Sequence, residues 1–311
     1  MSRAFIFPGQ GSQAPGMGLA LALASPAARA VFKEVDEALG ENLSKLMWSG
    51  DEATLTLTEN AQPAIMAVSI AALRVLEADG VRVADTAAFV AGHSLGEYSA
   101  LCAAGALTLA DTARLLRLRG QAMQSAVPVG TGAMAAILGL DLDGCSAAAR
   151  EAAEDQVCAV ANDNAPGQVV ISGHAEAVTR AIELAKLGGA KRGMLLNVSA
   201  PFHCALMQPA ADAMAVALAQ AALQSPYVAL IANVSAAPVA DAATIQRLLV
   251  EQVTGMVRWR ESVLAMTDAG VSAFVELGGK VLGPMIKRIA PDATTVSAVD
   301  MAGIEAAAKS F

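Results

Sequence analysis

Charge is scarce in this sequence, and basic residues are not clustered anywhere along it. Asp, Glu, Lys and Arg make up 16% of the 311 residues, and the net charge is −8. Proteins that bind nucleic acids carry dense Lys and Arg patches that neutralise phosphates, so we expect no nucleic-acid partner. The apolar fraction of 55% excludes intrinsic disorder, which requires low hydrophobicity and high net charge.

Long uninterrupted apolar segments are also missing. The uncharged stretch between Asp212 and Asp241 is broken by Gln220, Pro226 and Asn233, which indicates a short helix followed by a strand. A membrane-spanning helix needs about 20 consecutive apolar residues, so we predict no interaction with a membrane. The first apolar run, residues 5–8, is too short for the core of a secretory signal. We therefore predict a cytoplasmic location.

Residues that bind metals well are few and scattered. The chain has three histidines, and its four cysteines form no Cys-x-x-Cys pair: Cys102, Cys145, Cys158 and Cys204. Zinc sites need ligands at short, regular spacings. We therefore predict no metal site, and we expect reduced thiols that are mostly buried.

Apolar strands alternate with helices in the first third of the chain. The pattern predicts strands at 4–7 and 87–91, a helix at 63–76, and a further helix directly after the second strand. Alternation of this kind predicts an α/β architecture with a mostly parallel sheet.

The middle of the chain has a different pattern. Its predicted elements follow the order β-α-β-β-α-β, at residues 134–140, 142–154, 157–162, 168–172, 176–187 and 191–199, with a turn predicted at 163–167. This order is typical of a ferredoxin-like unit. We therefore predict a large α/β domain formed by residues 1–126 and 200–311, with a small ferredoxin-like subdomain, residues 127–199, inserted into it.

A Gly-x-Ser-x-Gly motif follows the second predicted strand. It spans residues 92–96, with Ser94 at its centre, and a helix-forming segment follows it. This context is typical of a nucleophile elbow, in which a strained strand-to-helix turn exposes the serine hydroxyl. A second interpretation stays open, because Ser94 and Glu97 also fit a capping box, in which the serine only caps a helix.

A nucleophilic serine needs a base, and His203 is the best candidate. His93 adjoins the serine, so we expect its side chain to point elsewhere and to brace the turn. His174 lies at the start of a predicted helix, where a surface or capping role is expected. No acidic third member is obvious, so a backbone carbonyl or an amide is expected to orient the imidazole.

Arg119 lies on the apolar side of its predicted helix, together with Leu115, Leu116 and Met123. A guanidinium keeps its charge when it is buried, so it needs an anionic partner. One interpretation is an internal salt bridge to a buried Asp or Glu. The other is a bidentate hydrogen-bonded pair with a substrate carboxylate.

Two glycine-rich loops fit a weak form of the dinucleotide-binding fingerprint. The first, residues 9–14, is followed by Pro15 and Gly16, which disrupt the helix that the fingerprint requires. The second, residues 130–135, continues into a predicted strand. We therefore favour a different use of the first loop, the donation of backbone N–H groups to an oxyanion, and we predict no cofactor.

Together these motifs resemble one family, the malonyl-CoA:acyl carrier protein transacylases of bacterial fatty acid synthesis. The matching segments occur in the family's order between residues 5 and 289, at 7–13, 62–64, 92–98, 119–120 and 201–203. The resemblance implies a hydrolase-like α/β domain with a ferredoxin-like insert, which agrees with the organisation predicted above. It also implies malonyl-CoA as a substrate and acyl carrier protein as a partner.

The resemblance implies a role for each matching position. Ser94 would be the nucleophile and His203 the base, while the N–H groups of Gln10 and Leu95 would form the oxyanion hole. Arg119 would bind the malonyl carboxylate. The other implied site residues are Gln252, whose backbone carbonyl would orient the histidine, and the substrate-binding Gln62, His93, Phe202 and Asn162, with Asn233 in a similar pocket-lining segment.

Two alternative functions stay open at this stage. A serine esterase or thioesterase would use the same elbow, but it would have no use for a buried cation beside the nucleophile. A non-catalytic member of an acyl-carrier assembly would only bind the carrier. The carrier in this family is acidic, so docking needs a local basic patch, and the candidates are Lys186, Lys191, Arg192, Lys280, Lys287 and Arg288.

Overall fold

The structure is a computed structural model that describes residues 2–310. Its ten strands form two sheets. In chain order the strands are β1 (Ser2–Phe7), β2 (Phe89–Gly92), β3 (Gly132–Leu138), β4 (Cys158–Ala165), β5 (Gln168–His174), β6 (Arg192–Leu195), β7 (Leu230–Ile231), β8 (Pro238–Val239), β9 (Val271–Leu277) and β10 (Thr294–Ala298).

Helices surround both sheets. In chain order they are α1 (Leu19–Ala24), α2 (Pro26–Leu39), α3 (Leu43–Ser49), α4 (Glu52–Thr56), α5 (Thr58–Ala78), α6 (Val83–Thr86), α7 (Gly96–Ala103), α8 (Leu109–Ser125), α9 (Leu142–Ala153), α10 (Ala175–Leu187), α11 (Gln208–Gln220), α12 (Ala242–Thr254), α13 (Trp259–Asp268), α14 (Leu282–Ile289) and α15 (Met301–Ala308). A short 3₁₀ turn, Ala205–Met207, precedes α11.

The large sheet has six strands in the order β10-β9-β1-β2-β7-β8. All neighbouring pairs run parallel except β7 and β8, which run antiparallel. The central strand β1 is buried along Ala4–Phe7, as expected for a strand covered by helices on both faces. The predicted α/β architecture with a mostly parallel sheet is confirmed.

The small sheet has four antiparallel strands in the order β4-β5-β3-β6. Helices α9 and α10 pack on it, and they share with it a separate apolar core that includes Ile137, Ile171 and Ile182. The order of elements and strands is that of a ferredoxin-like unit, so this prediction is also confirmed. The domain boundaries at residues 127 and 199 stay a prediction.

The predicted turn at residues 163–167 is wrong in extent. Strand β4 continues through Asp163 to Ala165, and only Pro166 and Gly167 form the turn. Asp and Asn are typical of turns, but here tertiary pairing decides, because the Asp163 N–H donates to the carbonyl of Val257 at 3.0 Å. The Val257 N–H in turn donates to the Ala161 carbonyl at 2.9 Å, so the small sheet is hydrogen-bonded to the connection between α12 and α13.

The predicted strand at residues 191–199 is shorter in the structure. Strand β6 ends at Leu195, and the following residues, Leu196 to Val198, line a cavity instead of continuing the sheet.

Helix α5 is the central helix of the large domain. Its length and hydropathy would allow it to cross a membrane, but 83% of its most apolar window is buried inside the protein. It packs against α2 and α8 and also contacts strand β9. Burial of this kind identifies α5 as a core helix of the fold.

Three adjacent parallel strands end at the same edge of the large sheet. Gln10 follows β1, Ser94 follows β2, and Asn233 follows β7. In open α/β sheets, ligands bind outside the carboxyl ends of the strands. The topology therefore indicates this edge as the position of a functional site.

Helices α5 and α8 approach closely at Gly120. A Cβ atom at this position would lie 2.5 Å from the Cα of Glu59 and 2.7 Å from the Thr58 carbonyl oxygen. We predict that Gly120→Ala destabilises the fold by about 1–3 kcal/mol, because the added methyl group must push two backbones apart. Chemical denaturation measures this change in the free energy of unfolding.

The control for this prediction is Gln121→Ala. Gln121 is the exposed neighbour of Gly120 on α8, so its truncation should leave the free energy of unfolding nearly unchanged. Equal stability of Gly120→Ala and the wild type would show that the helices do not approach as closely as described.

Candidate active site

Ser94 lies on the turn between β2 and α7 in a strained backbone conformation. Its φ angle is 52°, in the left-handed region of the backbone that residues other than glycine rarely adopt. The Ser94 N–H donates to Asn233 Oδ1 at 2.8 Å, and Asn233 Nδ2 donates to the Gly92 carbonyl at 2.6 Å. Asn233 therefore holds the turn from the adjacent strand.

The two glycines of the motif are required by close contacts. A Cβ atom at Gly92 would lie 1.9 Å from the carbonyl carbon of Gly96, and one at Gly96 would lie 2.2 Å from the Phe7 carbonyl oxygen. Side chains do not fit at either position. The local sequence thus forms a tight strand-turn-helix unit that presents the serine hydroxyl, as the nucleophile-elbow interpretation requires.

The capping-box interpretation is wrong. Helix α7 begins at Gly96 without a side-chain cap. The Ser94 hydroxyl contacts His203 and Arg119 instead. The Glu97 carboxylate accepts hydrogen bonds from Gln252 and from the Asn233 N–H, and the Ser94 N–H is bonded to Asn233. The groups that bind Ser94 and Glu97 in place of a capping interaction come from distant parts of the chain. The local sequence pattern therefore could not exclude a cap.

The His203 imidazole is hydrogen-bonded through both of its nitrogen atoms. Its Nε2 atom lies 2.8 Å from Ser94 Oγ. Its Nδ1 atom faces two backbone carbonyls, of Gln252 at 2.8 Å and of Gly255 at 3.2 Å. Because carbonyl oxygens only accept hydrogen bonds, Nδ1 carries the proton and Nε2 is left as the acceptor.

The environment of His203 keeps the imidazole neutral. Burial, together with the charge of Arg119, lowers the His203 pKa to about 3, while the hydrogen bond to the Gln252 carbonyl opposes this change. A histidine with a low pKa is unprotonated at neutral pH and is available as a base.

Arg119 projects from α8 into the same region and is 1% exposed. Its Nη1 donates to Gln62 Oε1 at 2.8 Å, and its Nη2 donates to Gln252 Oε1 at 2.8 Å and to Ser94 Oγ at 3.2 Å. Its Cζ lies 5.7 Å from the centre of the Tyr98 ring. The predicted burial of Arg119 is therefore present in the structure.

The internal salt bridge considered for Arg119 is not formed. Within residues 2–310, none of the ion pairs includes Arg119. The Glu97 carboxylate acts on it from a greater distance, with the Gln252 amide hydrogen-bonded to both groups. A buried cation without a paired carboxylate is suited to bind an anionic ligand.

These groups line one cavity of about 280 Å³. The predicted site residues that line it are Ser94, His203, Arg119, Gln10, Leu95, Gln62, His93, Phe202 and Asn162. The lining residues that the sequence did not indicate are Gly11, Gln13, Thr56, Met123, Met134, Leu196, Asn197 and Val198. A second cavity adjoins it, shares Gln10, Thr56, Asn197 and Val198, and extends to Asp51 and Ser199.

Two predicted residues lie behind the cavity instead of in its wall. Gln252 is fully buried and contacts Ser94, Arg119 and Glu97 from below. The expectation that Asn233 lines the pocket is wrong, because its side chain is directed to the backbone of the elbow. Asn233 follows β7, which is the neighbour of β2 in the sheet, so its side chain reaches the turn that follows β2.

The other two histidines have different surroundings. His93 Nε2 lies 2.8 Å from Asn164 Oδ1, and its ring lies beside Trp259, so it braces the turn and lines the cavity as well. His174 precedes α10 but makes no side-chain cap; its Nδ1 accepts a hydrogen bond from the Val157 N–H. The expected capping role of His174 is therefore wrong.

Glu97 is a charged residue behind the cavity to which sequence reasoning gave no role in the site. It was visible only as part of a capping pattern, but its carboxylate is buried beneath the elbow. Burial raises the pKa of Glu97, while hydrogen bonds from Gln252 and Asn233 and the charge of Arg119 oppose the rise and favour the carboxylate. The available signal in the sequence was a pair of residues of opposite charge, Glu97 and Arg119, that both face the protein interior.

Comparison with known proteins assigns the family. Residues 4–282 match the model of the acyl transferase domain. The chain is 46% identical over 306 residues to the malonyl CoA-acyl carrier protein transacylase of Bacillus subtilis, covering 98% of this chain and 95% of that protein. The Escherichia coli K12 protein of the same name is also 46% identical, with 98% of both chains covered. This chain belongs to the malonyl CoA-acyl carrier protein transacylase family.

Solved structures of transacylases have the same fold. An acyl-carrier-protein S-malonyltransferase from Bartonella henselae superposes with a TM-score of 0.98 at 53% identity, covering 100% of this chain and 99% of the other. A malonyl-transacylase in complex with its type II PKS acyl-carrier protein gives a TM-score of 0.97 at 42% identity, with 100% of both chains covered. The hydrolase-like α/β domain with a ferredoxin-like insert is thus confirmed as the transacylase fold.

The low pKa of His203 leads to a prediction for this transacylase. With a pKa of about 3, the imidazole is neutral across the pH range from about 5 to about 7. We expect the rate at which a fluorophosphonate reagent modifies Ser94 to stay flat as the pH falls from about 7 to about 5, whereas an ordinary histidine would become protonated near pH 6.5. Mass spectrometry of the modified protein measures this rate. A decrease centred near pH 6.5 would contradict the low pKa.

Proposed function

We propose that this protein transfers the malonyl group from malonyl-CoA to the phosphopantetheine thiol of acyl carrier protein, through a malonyl ester on Ser94. The observation that carries the proposal is the arrangement of three groups in one cavity. Ser94 Oγ lies 2.8 Å from His203 Nε2 and 3.2 Å from Arg119 Nη2. A nucleophile, its base and a buried cation thus meet at one point.

In the first step, Ser94 attacks the thioester carbonyl of malonyl-CoA. The Ser94 proton passes to His203 Nε2, and the Gln252 carbonyl accepts the Nδ1 hydrogen bond of the imidazolium that forms. The N–H groups of Gln10 and Leu95, both on the cavity wall, stabilise the oxyanion. The C–S bond then breaks, and the CoA sulfur takes the proton from His203.

In the second step, the same groups act on the carrier. The phosphopantetheine thiol gives its proton to His203 and attacks the ester carbonyl of malonyl-Ser94. When the C–O bond breaks, the proton returns to Ser94 Oγ, which regenerates the free enzyme. The reaction is therefore a ping-pong transfer, and it uses malonyl-CoA as a substrate without any cofactor.

Arg119 selects an acyl group that ends in a carboxylate. One methylene separates the carboxylate of a malonyl group from the carbonyl that Ser94 attacks, so it can reach a guanidinium beside Ser94 Oγ. Gln62 and Gln252 hold the guanidinium from the other side. Phe202 lines the cavity beside the base and disfavours a substituent at the methylene, although a single methyl group changes binding by only about 1–3 kcal/mol.

The two alternative functions have less support. An esterase or thioesterase acting on neutral esters gains nothing from a buried guanidinium beside its nucleophile. A protein that only binds the carrier has no need for the strained elbow or for a neutral His203 within hydrogen-bond distance of Ser94. The relatives described above are named transacylases or malonyltransferases.

We further propose a cytoplasmic enzyme of bacterial fatty acid synthesis that docks its carrier near β6. Of the basic candidates, Lys186 and Lys280 pair with acidic residues, and Lys287 and Arg288 bind backbone carbonyls. Lys191 and Arg192 are exposed on the edge of the small sheet. The chain after them lines the cavity, so an acidic partner bound there would be close to the entrance.

The test of the transfer reaction is labelling with radioactive malonyl-CoA. We expect a stable, stoichiometric label on the wild-type protein, release of the label to holo acyl carrier protein, and no label on Ser94→Ala, which lacks the nucleophile. The measurement is the radioactivity that stays with the denatured protein.

Other results would select an alternative function. Rapid release of free malonate in the absence of carrier would indicate a hydrolase. Binding of the carrier without any label on the wild type would indicate a protein that only binds. Cys204→Ala is the control, because the buried Cys204 thiol is directed to the Pro201 carbonyl and should not change the labelling.

Arg119→Ala tests the carboxylate selectivity. We expect kcat/KM for malonyl-CoA to fall about 100-fold, the scale of a lost pair of charged hydrogen bonds. Transfer from acetyl-CoA, which has no carboxylate, should be retained or increased. Steady-state kinetics with both thioesters measure the two effects.

Arg117→Ala is the matched control on the same helix. Arg117 binds Asn60 and Glu41 outside the cavity, so both thioesters should be used as by the wild type. Equal losses with malonyl-CoA and acetyl-CoA in Arg119→Ala would refute a specific contact with the carboxylate.

A further inference from the structure

The Gln252 side chain connects a buried cation with a buried carboxylate. Its Oε1 accepts a hydrogen bond from Arg119 Nη2 at 2.8 Å, and its Nε2 donates to Glu97 Oε2 at 2.6 Å. A cation at the oxygen end of an amide and an anion at its nitrogen end polarise it in the same direction, which strengthens both hydrogen bonds. All three side chains are at most 1% exposed.

Both carboxylate oxygens of Glu97 face hydrogen-bond donors. Oε2 accepts from Gln252 Nε2, and the Asn233 N–H lies 3.3 Å from Oε1 and 3.4 Å from Oε2. An ionised carboxylate accepts at both oxygens, whereas an amide in its place has to turn its NH₂ group toward one of these donors. The surroundings of Glu97 are therefore built for a carboxylate.

Glu97 itself does not line the cavity that holds Ser94 and Arg119. Any influence on the substrate has to pass through its partners. The contact with Gln252 is the shortest, and Gln252 in turn supports the Arg119 guanidinium.

We propose that Glu97 is a positioning residue for malonyl transfer, whose carboxylate fixes the Gln252 amide so that Gln252 Oε1 holds Arg119 in place for the substrate carboxylate. This inference rests on the function proposed above. It gives a role in substrate specificity to a residue that the substrate does not touch. This role is additional to the place of Glu97 in helix α7.

The test compares Glu97→Gln, Gln252→Met and the double variant, with malonyl-CoA and acetyl-CoA as substrates. Gln252→Met removes the side-chain amide but keeps the backbone carbonyl that faces His203. We expect each single variant to lower kcat/KM for malonyl-CoA about tenfold, the lower end for a charged hydrogen bond, mainly through KM. Gln252 Nε2 also donates to the Ser94 carbonyl at 2.9 Å, so each variant is judged by the ratio of kcat/KM for malonyl-CoA to kcat/KM for acetyl-CoA. This ratio should fall severalfold, because acetyl-CoA has no carboxylate for Arg119 to bind.

The double variant decides whether Glu97 acts through Gln252. If it does, Glu97→Gln should change kcat/KM for malonyl-CoA by less than about twofold when Gln252 is already Met. Additive losses would overturn the proposal. Equal losses with both thioesters would overturn it as well. An increase in kcat/KM for malonyl-CoA would also overturn it, because that is the result expected if Glu97 only neutralises part of the Arg119 charge.

Glu276→Gln is the control for burying an amide in place of a carboxylate. Glu276 is also 1% exposed, but it accepts hydrogen bonds from the backbone N–H groups at the start of α14. It should lower the unfolding temperature without changing the ratio of the two activities. If Glu97→Gln does not fold, Glu97→Asp, which withdraws the carboxylate from Gln252, takes its place with the same expected and contrary results.

Failure of this proposal can be told apart from failure of the proposed function. The wild-type protein is the reference for both. If it forms no malonyl ester on Ser94, the function is wrong. If it forms the ester but the Glu97 and Gln252 variants retain wild-type selectivity, only the positioning role is wrong.

Discussion

The guanidinium of Arg119 is the constraint around which the site is organised. It is buried in the interior of the large domain, where a cation is costly unless hydrogen bonds and an anion compensate it. Two side-chain amides, from α5 and α12, supply the hydrogen bonds, and the serine hydroxyl supplies a third acceptor. In the function proposed above, the substrate supplies the paired anion, so that affinity and selectivity would arise from the same buried charge.

The large sheet explains how residues that are far apart in sequence reach this point. Strands β1, β2 and β7 are neighbours and end at one edge, where the loop with Gln10, the turn with Ser94, and Asn233 follow them. Helix α8 brings Arg119 from one side, and the segment before α11 brings His203 from the other. The serine turn is strained, and the glycines at its ends make the strain possible because nothing larger fits between β1 and α7.

Much of this arrangement can be predicted from the sequence, because local patterns carry it. The glycine spacing around Ser94 predicts the elbow, and the helical periodicity predicts that Arg119 faces inward. The order of elements predicts the ferredoxin-like insert. Long-range pairing limits the rest: Asp163 lies in a strand because it bonds to Val257, and Glu97 is directed to Gln252, which is 155 residues away. No local pattern contains such partners.

The backbone hydrogen bonds between the small sheet and Val257 have a consequence for motion. Val257 follows Gly255 by two residues, and the Gly255 carbonyl is one of the two acceptors that face the His203 ring. A rotation of the insert against the rest of the molecule would pull on this segment and tilt the imidazole away from its serine. The small sheet and the backbone carbonyl that faces the His203 ring are therefore mechanically coupled, so that a displacement of the insert would be transmitted to the Ser94–His203 hydrogen bond.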